Sequence, residues 1–197
     1  MSQTIVSRHL AAPRGSVPQT ALRGASPPSR PTTPISAPSV PAVLAAIGGL
    51  GVFGLSAAVG APSTPVIAAI STIPVAGLVG AMVLTGPALV AGHLFLRPHV
   101  ATETPVAALG QGLTAAGSVA MGIAPAALFL VATTGLWPLV LVAGFAAVGL
   151  SCAAVTLQML RRATGDSPAF VVGWAALAAL VALRVAVAVG QTAMEVL

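Results

Sequence analysis

Two side chains have the type and setting to do chemistry in apolar surroundings, Arg184 and His93. Arg184 stands alone in the run from Ala169 to Gly190. A charge inside a membrane span is costly and by default marks function. It comes six residues before Gly190, which at 1.5 Å per residue is roughly 9 Å from the end of that run. An arginine so placed can snorkel to the headgroups. Two readings therefore stand side by side, an interfacial anchor and a gating, ion-pair or substrate residue. No acidic residue occurs inside any apolar run, and Glu195, eleven residues on, is the only acid near that end. His93 precedes Arg97 by four residues and so shares its helical face. It reads as an interfacial side chain beside His99 in preference to a proton relay or ligand contact.

The rest of the reactive inventory is short. Cys152 is the single cysteine and lies in an apolar run, where it reads as a small hydrophobe. His93, His99 and Glu103 are spread around Pro98 without metal-ligand spacing, so no metal is expected. There is no Gly-rich phosphate loop, zinc-protease helix or nucleophile elbow. A Ser–His arrangement would have to join Ser118 or Ser151 to His93, with no supporting motif. Lysine is absent, and paired carboxylates and intramembrane Asp or Glu are missing. These features point to a protein that is not an enzyme and takes no cofactor.

The elements that carry these residues are set by the distribution of charge. From Pro41 to Gly190 there are only six charged side chains: Arg97, Glu103, Arg161, Arg162, Asp166 and Arg184. A soluble domain of that length would be about a quarter charged. The chain is 57% hydrophobic, and a crossing takes about 20 helical residues, so this stretch provides about five. The net charge of +5 does not indicate nucleic acid, because the arginines form no basic stripe and no aromatics are interleaved with them.

The fold class expected is all-α, a polytopic transmembrane bundle of about five spans behind a disordered tail. Residues 1–40 hold seven prolines and seven serines and lack the apolar content to offset ordering entropy. The spans are read as 42–60, 73–95 preceded by a short interfacial turn before Pro74, 110–134 with a kink at Pro125, 139–160 and 169–190. Residues 191–197 form a short tail. Trp137 and Trp174 fall near span ends, where indole rings anchor.

Lipid tails give helices no hydrophobic reason to associate, so small residues that allow close backbone contact do much of the work. The third span carries Gly110, Thr114, Ser118, Gly122 and Ala126 at four-residue spacing, which predicts a helix-packing ladder. Shorter runs occur at Gly54–Ala58, Ser56–Gly60, Gly77–Ala81, Ala88–Gly92 and Ala143–Ala147–Ser151.

The order of features over 65–162 resembles the bacterial members of the Yip-type family of small membrane proteins. The residues concerned are Gly86 and Pro87 running to His93 and Arg97, then Ile123, Ala124 and Pro125 in the next span, then the turn at Gly135. The resemblance implies a non-enzymatic protein that acts through its spans and its cytoplasmic tail, and it supplies no catalytic residues. The function expected is scaffolding or membrane organisation through helix–helix contacts with the bilayer, other membrane proteins or a second copy. The alternative is a small-solute permease or channel subunit with Arg184 and His93 on its path.

The absence of Lys, Asn and Tyr beside abundant Ala, Gly, Pro and Arg fits a GC-rich bacterial genome, and hence the inner membrane. With five spans, seven of the eight arginines fall on one side of the membrane. The positive-inside rule makes that side cytoplasmic, with the N-terminus inside and the C-terminus outside. Alkaline phosphatase fused after Leu197 should therefore be active; an inactive fusion would overturn the orientation and the span count together.

Overall fold

The structure is a computed structural model that describes residues 35–96, 101–164 and 169–195. All of them belong to one compact unit, Thr32–Leu197. Five helices follow in order: α1 (Val40–Ala58), α2 (Thr64–Leu96), α3 (Glu103–Thr134), α4 (Trp137–Thr164) and α5 (Ala169–Glu195). No strand occurs among the described residues. Each of the five is long and apolar enough to cross a membrane. Large apolar side chains such as Val83, Leu84, Leu150 and Phe129 point outward, which only a lipid environment makes favourable. The fold class expected from sequence is thus found. The tail expected to be disordered lies mostly outside the described residues, but its last part, Ile35–Ser39, does not.

The helix boundaries follow from local chemistry. Pro41 sits in the first turn of α1, where its missing N–H removes no bond. At the other end of α3, Gly135 adopts φ 68° and donates its N–H to the Val131 carbonyl at 2.9 Å. That left-handed cap stops the helix, as it does in many others. Trp137 then starts α4, with Pro138 in its first turn.

α2 differs from the expected turn followed by a span. It is one continuous helix of 33 residues with Pro74 and Pro87 inside it. Packing overrides the prolines here. Val66, Ile70, Ile73 and Pro74 are all buried, and Gly54 of α1 lies directly against the Ser71 backbone. Helix-borne hydroxyls remain satisfied locally: Ser71 Oγ donates to the Ala68 carbonyl at 2.8 Å, Thr72 Oγ1 to Ala69 at 2.8 Å and Thr85 Oγ1 to Ala81 at 2.7 Å. These three hydroxyls thus leave no donor unpaired in the apolar layer. At 1.5 Å per residue α2 is about 50 Å long, more than the roughly 30 Å hydrocarbon layer. Its ends therefore reach the headgroup zone or the helix tilts.

α1 is central. It packs extensively on α3 and α2, while α4 lies on the other flank of α3 and α5 on the other flank of α2. α4 and α5 touch each other little. The α1–α3 contact is backbone to backbone: a Cβ at Gly49 would collide with the Gly117 carbonyl, and one at Gly117 with the Ala46 backbone. On its other side α3 presents Gly112 to Cys152 and Thr156 of α4.

The ladder that seats α3 in the bundle is thus Gly112, Ala116, Ala120 and Ala124, all buried, together with Gly117. It is displaced by two residues from the predicted one. Gly110 and Thr114 are only half-buried, and Ser118 and Gly122 are exposed. Both ladders have four-residue spacing, and sequence does not say which of two small faces turns inward.

Aromatic rings fill the larger gaps. Phe53 of α1 seats on Gly144 of α4, Phe145 of α4 on Gly77 of α2, and Phe170 of α5 on Gly92 of α2. At the end where the chain enters, α1 is too short to complete the packing. A second apolar cluster forms there from Leu89, Ala108, Leu160, Val171 and Trp174, with Ile35 against it. Pro38 abuts Gly110, and Gln111 Nε2 donates to the Ser36 carbonyl at 3.0 Å.

Gly117→Leu should force α1 from α3 and destabilise the bundle by about 2–4 kcal/mol, read as a lower unfolding midpoint in detergent. Gly122→Leu, with nothing within 4 Å, serves as the control and should leave the midpoint in place; equal effects would contradict this packing.

Candidate functional site

The antiparallel pairing of α2 and α5 sets the depth of every candidate residue. Phe170 meets Gly92, the Trp174 indole N–H donates to the Thr85 carbonyl at 2.8 Å, and Val185 lies beside Gly80. Residue 80 is the midpoint of Thr64–Leu96. The Ala182 carbonyl, however, meets Gly77, so Arg184 lies a few residues from that midpoint, towards the N-terminal end of α2. It also has eleven residues of α5 beyond it rather than six, or roughly 16 Å of helix. α5 continues to Glu195, but its apolar, membrane-length part is Ala169–Ala188, with Arg184 near its end.

Arg184 is exposed on the outer wall of the bundle. It borders an open depression of ≈ 340 Å³ together with Leu84 of α2 and Leu180, Val181, Val185 and Ala188 of α5. Leu180 and Leu183 beside it are exposed as well. A guanidinium within a span is costly, and nothing apolar around it offsets that.

His93 sits at the other end of the same helix pair. It is 6% exposed, one turn beyond the fully buried Leu89, and Phe170 packs on the adjacent Gly92. It is thus covered laterally by the packing although it lies only three residues from the end of α2. The reason is the length of α3 and α5 beside it, which cover α2 almost to its end. His99, the expected neighbour, lies outside the described residues. Between His93 and Gly77, which the Ala182 carbonyl meets, there are 16 residues of α2, or roughly 24 Å. The two candidates are not brought together.

Other candidates also stand apart. Ser118 Oγ donates to the Thr114 carbonyl at 2.9 Å and Ser151 Oγ to Val148 at 2.7 Å, so both hydroxyls are engaged with their own helices. Cys152 is buried against Gly112. Among the described residues no three His, Cys, Asp or Glu side chains lie together as a metal site would require. Glu103, Arg161 and Arg162 are exposed at the end where the chain enters.

Sequence reasoning missed the Trp174–Thr85 bond. Trp174 is 7% exposed and staples α5 to α2 instead of anchoring at the interface. Its position was the available signal, because the sixth residue of α5 is more than a turn deeper than an interfacial ring would sit. The bond lands two residues before Pro87. Comparison with family models, with curated proteins and with solved structures finds no match to this chain.

Proposed function

We propose that this protein is a non-enzymatic, multi-pass protein of the bacterial inner membrane that organises other membrane proteins through helix–helix contacts. Its N-terminal tail is cytoplasmic in this reading and its C-terminus outside. The resemblance to Yip-type proteins points the same way.

The observation that carries the proposal is the fate of the glycines. A glycine in a helix interior costs roughly 0.5–1 kcal/mol relative to alanine. At Gly112 and Gly117 that cost is offset by close contact inside the bundle. At Gly48, Gly122 and Gly173, all exposed, no atom of the described residues lies within 4 Å of where a Cβ would stand. Ser118, Gly122 and Ala126 together form a small-residue strip on the outer face of α3. Such notches admit a second helix at close range, and nothing among the described residues uses them.

Mild crosslinking in native membranes followed by pull-down tests this. Wild-type protein should bring down a defined set of membrane proteins, and Gly122→Leu should lose part of that set while its own stability shifts by no more than about 0.5 kcal/mol. A deletion strain in which all membrane proteins assemble and localise normally would contradict the proposal. Solute flux in liposomes that disappears on substitution of Arg184 and His93 would assign the protein to transport instead.

A further inference from the structure

We infer that Arg184 and the depression between α2 and α5 bind one anionic phospholipid, with its phosphate on the guanidinium and an acyl chain along the apolar lining. This goes beyond the organising role proposed above and does not depend on it.

Three observations converge on that ligand. The first is reach. The apolar, membrane-length part of α5 closes at Ala188, four residues after Arg184, which is roughly 6 Å along the helix. An arginine covers such a distance with its apolar stem in hydrocarbon and its head among polar groups. The guanidinium thus meets the phosphate layer of the leaflet at the C-terminal end of α5, although its backbone lies in the apolar part of the helix.

The second is charge. The acidic residues of the chain are Glu103, Asp166 and Glu195. Glu103 opens α3 at the opposite end of the bundle, and Asp166 comes before Ala169, where α5 begins. Glu195 is eleven residues beyond Arg184, not the three or four at which helical side chains meet. The counter-ion of Arg184 therefore comes from outside the chain. A phosphodiester is the anion that the leaflet itself supplies, and a guanidinium takes it through paired N–H groups. One positive charge without an acid beside it favours a headgroup of net negative charge over a zwitterionic one, whose own amine adds a second cation to the site.

The third is shape. Ala188 and Arg184 border the depression at its end nearer the headgroups, Val181 and Leu180 lie about one turn further in, and Leu84 faces them from α2. Val185 lies beside Gly80, whose missing side chain keeps α2 low there. The depression thus has its charge towards the leaflet surface and apolar side chains further in, the order of phosphate and acyl chain in a phospholipid. Leu84 and Leu180 are 65% and 62% exposed, so the described helices leave this lining open. Leu150 on α4 is exposed to the same degree but has no charge near it in sequence.

The test is photolabelling of the full chain in vesicles made mainly of phosphatidylethanolamine, with a trace of phosphatidylglycerol that carries a diazirine along one acyl chain. Labelling should be several-fold higher around Leu84 and Leu180 than around Leu150. Unlabelled phosphatidylglycerol should displace it, and further phosphatidylethanolamine should not. Arg184→Leu should lower the labelling at Leu180 roughly tenfold, the scale of one charge-assisted contact, and Arg184→Lys should keep most of it. Leu180→Trp fills the depression while leaving the charge, and should lower the labelling at Leu84. An unchanged unfolding midpoint in detergent shows that each variant bundle is intact. Equal labelling around Leu150 and Leu180, equal displacement by phosphatidylethanolamine, or a yield unchanged in Arg184→Leu would each overturn the inference. None of these readouts involves another protein, so the organising role stands or falls separately.

Discussion

The closest approach in the bundle is between α1 and α3, where Gly49 and Gly117 leave no side chain between the two backbones. The remaining geometry depends on this contact. In lipid the helices gain little from burying apolar side chains, so association rests on dispersion at short range and on polar contacts. With α1 held against α3, Phe53 is carried across to Gly144 and α4 is fixed on the far flank of α3. The same helix, through Gly54, packs on the Ser71 backbone just before Pro74, where α2 continues unbroken. α1 has 19 residues and is the shortest helix, yet it touches three of the other four.

The periphery is less well tied. α5 is held chiefly to α2, by Phe170 in the Gly92 notch and by the Trp174–Thr85 hydrogen bond. Its remaining surface is mostly lipid-facing and includes Arg184. The core and the edge thus have different characters. The core is made of Gly, Ala and Phe in close contact, and the edge combines open glycines with one charge. This division links the fold to the proposed role, because a bundle whose own packing is complete has its outer notches free for other helices.

The sequence made the number and class of spans legible, because charge scarcity and apolar length act at low resolution and tolerate error at the ends. It did not reveal which residues turn inward. In α3 the strips Gly110–Gly122 and Gly112–Ala124 have the same period and nearly the same side-chain size, so only the contacts of α1 and α4 distinguish them. The continuity of α2 was hidden because Pro74 is a helix breaker in water, while here the surrounding contacts of Ile70, Ile73 and Gly54 maintain the helix. Trp174 was assigned by residue type alone, and its neighbour Thr85 is 89 residues away in the chain.

The central claim is that a charged residue lies on the outer wall of a five-helix membrane bundle, within the apolar part of its last helix. A nitroxide attached at Leu183, in a Cys152→Ser background and in lipid vesicles, measures this by collision with dissolved oxygen and with an aqueous nickel complex. Leu183 is exposed beside Arg184. The account predicts oxygen-dominated relaxation like that of a label at Val83, which is exposed near the centre of α2. Nickel-dominated relaxation like that of a label at Leu136, in the turn between α3 and α4, would place Arg184 at the interface and contradict the account.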